Sequence, residues 1–125
     1  MILTELNERL DILLTSAVIT KKAAEVAVEA FIHLQSTLKK DEIDHAEMLF
    51  THLPMALSRI EKEEKVEATH PDLLTEVKNS PYSAQAGREI DYVQTLWTGR
   101  LPQEELDYLL IHYATLFQLN EGGNE

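Results

Sequence analysis

The sequence has 125 residues, of which 22 are acidic and 11 basic, and its formal net charge is −11 at pH 7. It contains no cysteine, which excludes disulfides, thiolate metal ligands and cysteine nucleophiles. A surface this acidic disfavours direct binding to nucleic-acid phosphates. No stretch approaches the roughly 20 apolar residues of a membrane span, and the beginning of the sequence is acidic where a signal peptide is basic. We therefore expect one cytoplasmic domain without a membrane segment.

Apolar residues recur with helical spacing and never settle into the alternation of a half-buried strand, which predicts an all-α fold, a compact bundle of about five helices. The first helix is predicted from about Leu3 to Leu14. Thr20 is the predicted N-cap of the second, which extends to about Leu38. The inner residues are expected to be Leu3, Leu6, Leu10, Ile12 or Leu13, and Leu14 in the first helix, and Ala24, Ala27, Val28, Phe31 and Leu34 or Leu38 in the second.

The third helix is predicted over Ile43 to Ile60, with Asp41 as its N-cap. Its apolar residues are spaced by three and four, which predicts one buried stripe: Ile43, Ala46, Phe50, Leu53, Leu57 and Ile60. Pro54 has no N–H to donate to the carbonyl of Phe50, so we expect a bend near His52.

The segment EKEEKVEATHP reads as a charged connector, followed by a short helical piece, DLLTEVK. Pro81 is predicted in the first turn of a fourth helix that reaches about Trp97. Pro102 is predicted to start a fifth helix that reaches about Leu119. We expect a single domain over residues 1–119 and a disordered tail over 120–125.

Every seventh residue of the third helix forms a second line, which consists of His45, Leu49, His52, Ala56 and Arg59. Seven residues turn a helix by nearly two full turns, so these side chains share one face. A line that mixes apolar and titratable residues faces solvent, a ligand or another subunit in addition to the helix's own core. We predict that it forms the interface of a homodimer.

In the fifth helix the same spacing links Glu105 to His112, and Tyr108 lies one turn before the histidine. A carboxylate and a phenol beside an imidazole can fix its tautomer and leave a neutral ring nitrogen as a nucleophile. The alternative is a half-buried histidine that a neighbour satisfies. His33 and His70 read as surface residues without a role.

Two pairs, Glu42 with His45 and Glu67 with His70, have the Glu-x-x-His spacing that di-iron bundles use on two helices. The second pair lies in the connector before Pro71. Because its two side chains do not share a helical face there, a metal-binding bundle is only the third alternative.

Two motifs in this order, THLPMALSRI and LPQEELDYLLIHYATL, resemble the PTS regulation domain of bacterial transcriptional antiterminators and activators. The resemblance extends to the opening LNERLDILLTSAVIT and to HPDLLTEVK, and so covers nearly the whole chain. It implies a helical bundle that dimerises, with two histidines phosphorylated by the phosphocarrier HPr or by enzyme IIB components of the phosphotransferase system.

Matched to this sequence, the resemblance implies phosphorylation of His52, with Arg59 as the arginine of its motif, and of His112, with Glu105 after the proline. We expect the two histidines to lie on different helices but near each other. Two departures, Thr51 where the family often has aspartate and Pro54 where a helix former is usual, predict more phosphoryl on His112. Family members usually carry a nucleic-acid-binding domain and two regulation domains.

One regulation domain alone is matched here, which predicts that an unknown protein partner receives the signal. No enzymatic activity, metal or cofactor is expected. The rival prediction is a constitutive dimeric scaffold with unphosphorylated histidines.

Overall fold

The computed structural model describes residues 1–64 and 71–121, and all regular secondary structure in these two ranges is α-helical, as predicted. The helices are α1 (Leu3–Thr15), α2 (Lys21–Leu38), α3 (Glu47–Glu61), α4 (Pro71–Lys78), α5 (Ser83–Leu96) and α6 (Gln103–Glu121). The chain divides into two compact units, Met1–Lys65 and Val66–Glu125. The prediction that residues 1–119 form a single domain stays a prediction.

In the first unit α2 packs against both α1 and α3. The rings of Phe31 on α2 and Phe50 on α3 meet edge to face, with centroids 5.0 Å apart and an interplanar angle of 89°. Both rings are fully buried. Such a contact adds to the hydrophobic stabilisation from their burial, because the positive edge of one ring faces the negative face of the other. The buried residues of α1 are Leu6 and Leu10, whereas Ile12 is 66% exposed.

The beginning of α2 matches the sequence prediction. The Thr20 side chain accepts a hydrogen bond from the Ala23 N–H at 3.2 Å, which is the N-cap arrangement. The Thr20 N–H in turn donates to Ser58 Oγ at 2.9 Å, and the Ser58 hydroxyl donates to the Pro54 carbonyl at 2.7 Å. Ser58 is buried, so this chain of hydrogen bonds ties the start of α2 to the middle of α3 inside the core.

The predicted start of α3 is wrong. The helix begins at Glu47, four residues after Ile43, and its N-cap residue, Ala46, makes no side-chain cap bond. The reason is a long-range pairing, in which the Ile43 N–H donates to the Met1 carbonyl at 2.9 Å and the Met1 nitrogen donates to the Ile43 carbonyl at 2.8 Å. Backbone groups used in this pairing are not available to a helix. Asp41 is therefore not a cap, and its carbonyl accepts from the Gln35 side chain.

The predicted burial of the stripe is confirmed from Ile43 to Leu57, whose members are fully buried, while Ile60 is half-buried. Ile43 and Ala46 precede α3, so only the later members form a stripe on the helix. Pro54 lies inside the helix, which continues to Glu61. The loss of one hydrogen bond at a proline is therefore tolerated where packing holds both halves of the helix. The bend expected near His52 stays a prediction.

In the second unit α6 packs against α4 and α5. The short helix predicted from DLLTEVK is present as α4. Pro81 lies outside α5, which begins at Ser83 after Tyr82, so its predicted place in the first turn is wrong. The Pro102 carbonyl accepts N–H bonds from Glu105 and Leu106 at the start of α6. The buried residues of this unit include Ala86, Ile90, Val93, Trp97, Leu101, Leu109, Tyr113, Leu116 and Phe117.

At its other end α6 extends beyond the predicted Leu119, through Asn120 and Glu121. Asn120 is buried, and its side-chain amide donates to the Leu116 carbonyl at 2.8 Å. These two residues of the predicted disordered tail are therefore helical, and residues 122–125 lie outside the described residues. Among the described helices, none is both long enough and apolar enough to cross a membrane.

Candidate functional site

His52 lies at the middle of α3 and is half-buried. The two residues that follow it, Leu53 and Pro54, are buried. Arg59, seven residues further along the helix, is also half-buried, and its guanidinium forms no ion pair with another residue of the described part. His52 and Arg59 are thus two half-buried titratable side chains on α3, a helix in which seven of the 15 residues are buried.

The line predicted as a dimer interface does not exist as a surface. His45 precedes α3 and is exposed, with a positive φ of 61°, so it does not share the helical face. Leu49 is 2% exposed and Ala56 is 0% exposed, because α3 buries a face wider than its main apolar stripe. Only His52 and Arg59 of the five residues are left half-buried on α3. The homodimer itself stays a prediction.

Arg9 on α1 is a residue near His52 that the sequence reasoning missed. Its Nη1 donates to Thr51 Oγ1 at 2.9 Å, from one helix of the first unit to another. The residue before His52 is therefore held by a guanidinium. No periodicity connects two residues that lie 42 positions apart, so only the fold brings them together.

His112 lies on α6 and is half-buried, and its ring stacks on that of Tyr108, with centroids 4.0 Å apart and an angle of 25° between the planes. The predicted association of these two residues is therefore present, but as stacked rings. Stacking restricts the rotation of the imidazole and covers one of its faces. Glu105, one turn before Tyr108, is fully buried.

The second unit buries further polar side chains that the sequence did not indicate. Glu89 on α5 is 2% exposed, and Tyr113, next to His112 on α6, is fully buried. Burial raises the pKa of the Tyr113 phenol far above its usual value, and the negative charge of Glu89 raises it further. Within residues 1–64 and 71–121 the Tyr113 hydroxyl has no hydrogen-bond partner. No hydrogen bond from these residues therefore offsets the cost of its desolvation.

The remaining predicted groups are not assembled into a site. Glu42 and His45 are both exposed, whereas Glu67 and His70 lie outside the described residues. The part of the chain that the structure describes contains no group of three His, Cys, Asp or Glu side chains arranged to hold a metal ion. His33, predicted at the surface, is half-buried on α2.

The second unit also has an open cavity of about 400 Å³ between the end of α4, the segment that follows it, and α6. Glu76 and Tyr82 line one side, and Ile111 and Gln118 line the other. His112 is adjacent in sequence to this lining. Since His52 belongs to the first unit and His112 to the second, the expectation that they lie near each other stays a prediction.

No family model matches this sequence, and neither the curated proteins nor the solved structures contain a match.

Proposed function

We propose that this chain is a phosphorylation-responsive regulatory domain of the bacterial sugar phosphotransferase system, and not an enzyme. His52 and His112 accept phosphoryl groups from HPr or from an enzyme IIB component. The domain acts as a homodimer in the cytoplasm and passes its state to a protein partner that affects transcription. It binds neither nucleic acid nor membrane directly.

The observation that carries the proposal is the surroundings of the two histidines that the resemblance selects. Each residue is half-buried on a helix, partly covered by neighbouring residues and partly exposed to solvent. The His112 ring is oriented by its stacking on the Tyr108 ring. A phosphoryl acceptor needs this combination, because the ring must be oriented and a nitrogen must also be reachable by the donor protein.

The reaction is a transfer between two imidazoles. A neutral ring nitrogen of the acceptor attacks the phosphorus of the donor's phosphohistidine, and a new N–P bond forms as the donor's N–P bond breaks. The acceptor imidazole releases the proton of its other ring nitrogen to solvent, and the donor imidazole takes up one proton. The electron pair of the broken bond returns to the donor's imidazole. The neutral form of an imidazole has a lone pair on one ring nitrogen, and this lone pair is the nucleophile.

The added phosphoryl group brings about 1.5 to 2 negative charges, which act differently at the two sites. Arg59 lies about 10 Å from His52 along the helix axis, within reach of two extended side chains, and its guanidinium can bind the phosphoryl oxygens. On α6 the carboxylate of Glu105 lies two turns before His112, and a carboxylate repels phosphate. One phosphorylation therefore favours an ordered state and the other disfavours it.

Incubation with enzyme I, HPr and phosphoenolpyruvate, followed by measurement of acid-labile phosphate, tests the proposal. We expect His112→Ala to lose most of the label and His52→Ala a smaller share. His45→Ala removes an exposed histidine outside the helices and is the matched control, expected to label like wild type. Absence of label with HPr and with every enzyme IIB tried, or full labelling of the double variant, would contradict the proposal.

A constitutive scaffold is the second candidate, which is favoured by an apolar groove on the first unit. In that case the protein binds its partner equally well before and after treatment with the phosphotransferase components.

A further inference from the structure

The first unit has a groove of about 300 Å³ between α1 and α2. Its floor is apolar and is contributed by both helices. Leu10 and Leu14 lie one turn apart on α1, and Val28 lies opposite them on α2. Leu14 and Val28 are half-buried, so part of their apolar surface faces the groove rather than the core. Ile32, one turn beyond Val28, is 41% exposed and continues the apolar line along α2.

The rim of the groove is acidic on both sides. Asp11 belongs to α1, and Glu25 and Glu29 belong to α2; all three side chains are exposed. None of the three carboxylates forms an ion pair with another residue of the described ranges. Lys21, at the beginning of α2, is the one cation among the lining residues. Three acidic side chains beside an apolar floor raise the local affinity for a ligand that carries both positive charge and apolar side chains.

We propose that this groove binds a basic amphipathic helix of a protein partner. The apolar residues of the floor repeat at intervals of one helical turn, a spacing that accepts the i, i+3, i+4, i+7 side chains of a helix laid between two others. Lysine or arginine residues that flank the partner's apolar stripe lie against Asp11 on one side and against Glu25 and Glu29 on the other. Nucleic acid and anionic membranes are both repelled by such a rim.

The groove is distinct from the histidines, since its lining includes neither His52 nor His112. The inference extends the proposed function by naming the chemistry of the protein partner, and it does not require phosphorylation. Its test uses the unphosphorylated full chain, so a failure here and a failure of phosphoryl transfer are separate results.

The probe is a synthetic peptide of about 16 residues, which is about four helical turns, with leucine at i, i+3, i+4 and i+7 and lysine flanking the leucine stripe. A second peptide carries the same lysines but serine in place of leucine. Binding is measured by fluorescence anisotropy of the labelled peptide. We expect the leucine peptide to bind and the serine peptide to bind at least tenfold more weakly, because the floor requires apolar contact.

Two variants with the same change in net charge test whether the acidic rim of the groove contributes to binding. D11N/E25Q/E29Q removes the three carboxylates of the groove and is expected to weaken binding about tenfold. E42Q/E61Q/E64Q removes three exposed carboxylates elsewhere in the first unit and is expected to change binding less than threefold. Circular dichroism establishes that both variants are folded.

A measurement on the wild-type chain is independent of any variant. Amide chemical shifts of α1 and α2 are expected to change on addition of the leucine peptide, with Leu14 and Val28 among the affected residues. Equal weakening by the two variants, equal affinity for the two peptides, or shift changes confined to other helices would each overturn the proposal.

Discussion

Each unit buries a side-chain hydroxyl in its core, and the two hydroxyls differ in their hydrogen bonds. In the first unit the buried Ser58 hydroxyl both donates and accepts, to the Pro54 carbonyl and from the Thr20 N–H. In the second unit the buried Tyr113 hydroxyl has no partner among residues 1–64 and 71–121, and the charge of Glu89 acts on it. A satisfied buried group specifies one arrangement, whereas an unsatisfied one lowers the stability of the arrangement that buries it. The second unit therefore has a polar group whose burial works against stability.

The largest effect is expected from breaking the aromatic contact of the first unit. Phe31→Ala removes a fully buried ring that meets Phe50 edge to face. The lost transfer free energy and the cavity together should lower the free energy of unfolding by about 3–5 kcal/mol. Chemical denaturation measures this change. Ile12→Ala, at a 66% exposed position of α1, is the control and should change stability by no more than about 0.5 kcal/mol. Similar effects of the two substitutions would contradict the assigned core.

Ser58→Ala tests the hydrogen bonds of the first unit. The change leaves the Thr20 N–H and one lone pair of the Pro54 carbonyl without their side-chain partner in a buried site, which should cost about 1–3 kcal/mol. Ser36→Ala, at an exposed position of α2, removes a hydroxyl without burying an unpaired group. If thermal denaturation finds the two variants equally stable, the buried serine does not link the two helices.

Tyr113→Phe tests the buried hydroxyl of the second unit. Unlike the two substitutions above, it is expected to increase the free energy of unfolding. The phenyl ring fills the same space without the hydroxyl, so the desolvation cost disappears and the free energy of unfolding should rise by about 1 kcal/mol. Tyr82→Phe, a half-buried position of the same unit, is the control with no expected gain. A loss of stability in Tyr113→Phe would mean that the hydroxyl has a favourable partner.

The same tyrosine predicts a dependence on pH. Burial raises the pKa of Tyr113 in the folded state above the usual value of 10.0, so the unfolded chain releases the proton first. The protonated, folded form is therefore fully favoured below about pH 10, and stability is lost as the pH rises above that value. Tyr113→Phe should lose less stability than wild type between about pH 10 and pH 11. Denaturation midpoints at several pH values measure the difference, and parallel pH curves for the two proteins would contradict it.

Local signals were enough to predict the elements whose stabilising contacts are local. The Thr20 cap depends on a residue three positions away, and the spacing of apolar residues located both α2 and the buried stripe of α3. The start of α3 was predicted wrongly because Ile43 pairs with Met1, 42 residues earlier, a contact that no local pattern reveals.

In the candidate sites, too, local contacts could be predicted and long-range contacts could not. Tyr108 and His112 are separated by one helical turn, so their contact could be predicted from the sequence. The burial of Leu49 and Ala56 could not be predicted from the sequence, because packing against other helices determines whether a second face of α3 is buried. The sequence also does not show that the Tyr113 hydroxyl lacks a partner among the described residues, since it predicts burial but not which polar atoms meet.

The smallest effect is expected at the hydrogen bond between Arg9 and Thr51, which joins α1 to α3 near the surface. Thr51→Val removes the acceptor, but Arg9 is half-buried and its guanidinium can turn to water, so the loss should be only about 0.5 kcal/mol. Thr4→Val, at an exposed position of α1, controls for the lower helix propensity of valine. A double-mutant cycle with Arg9→Met isolates the energy of the pair, because each substitution removes the same bond. A coupling above about 2 kcal/mol would show that Arg9 is held more rigidly than its exposure implies, and the first unit would then depend on this contact as much as on Ser58.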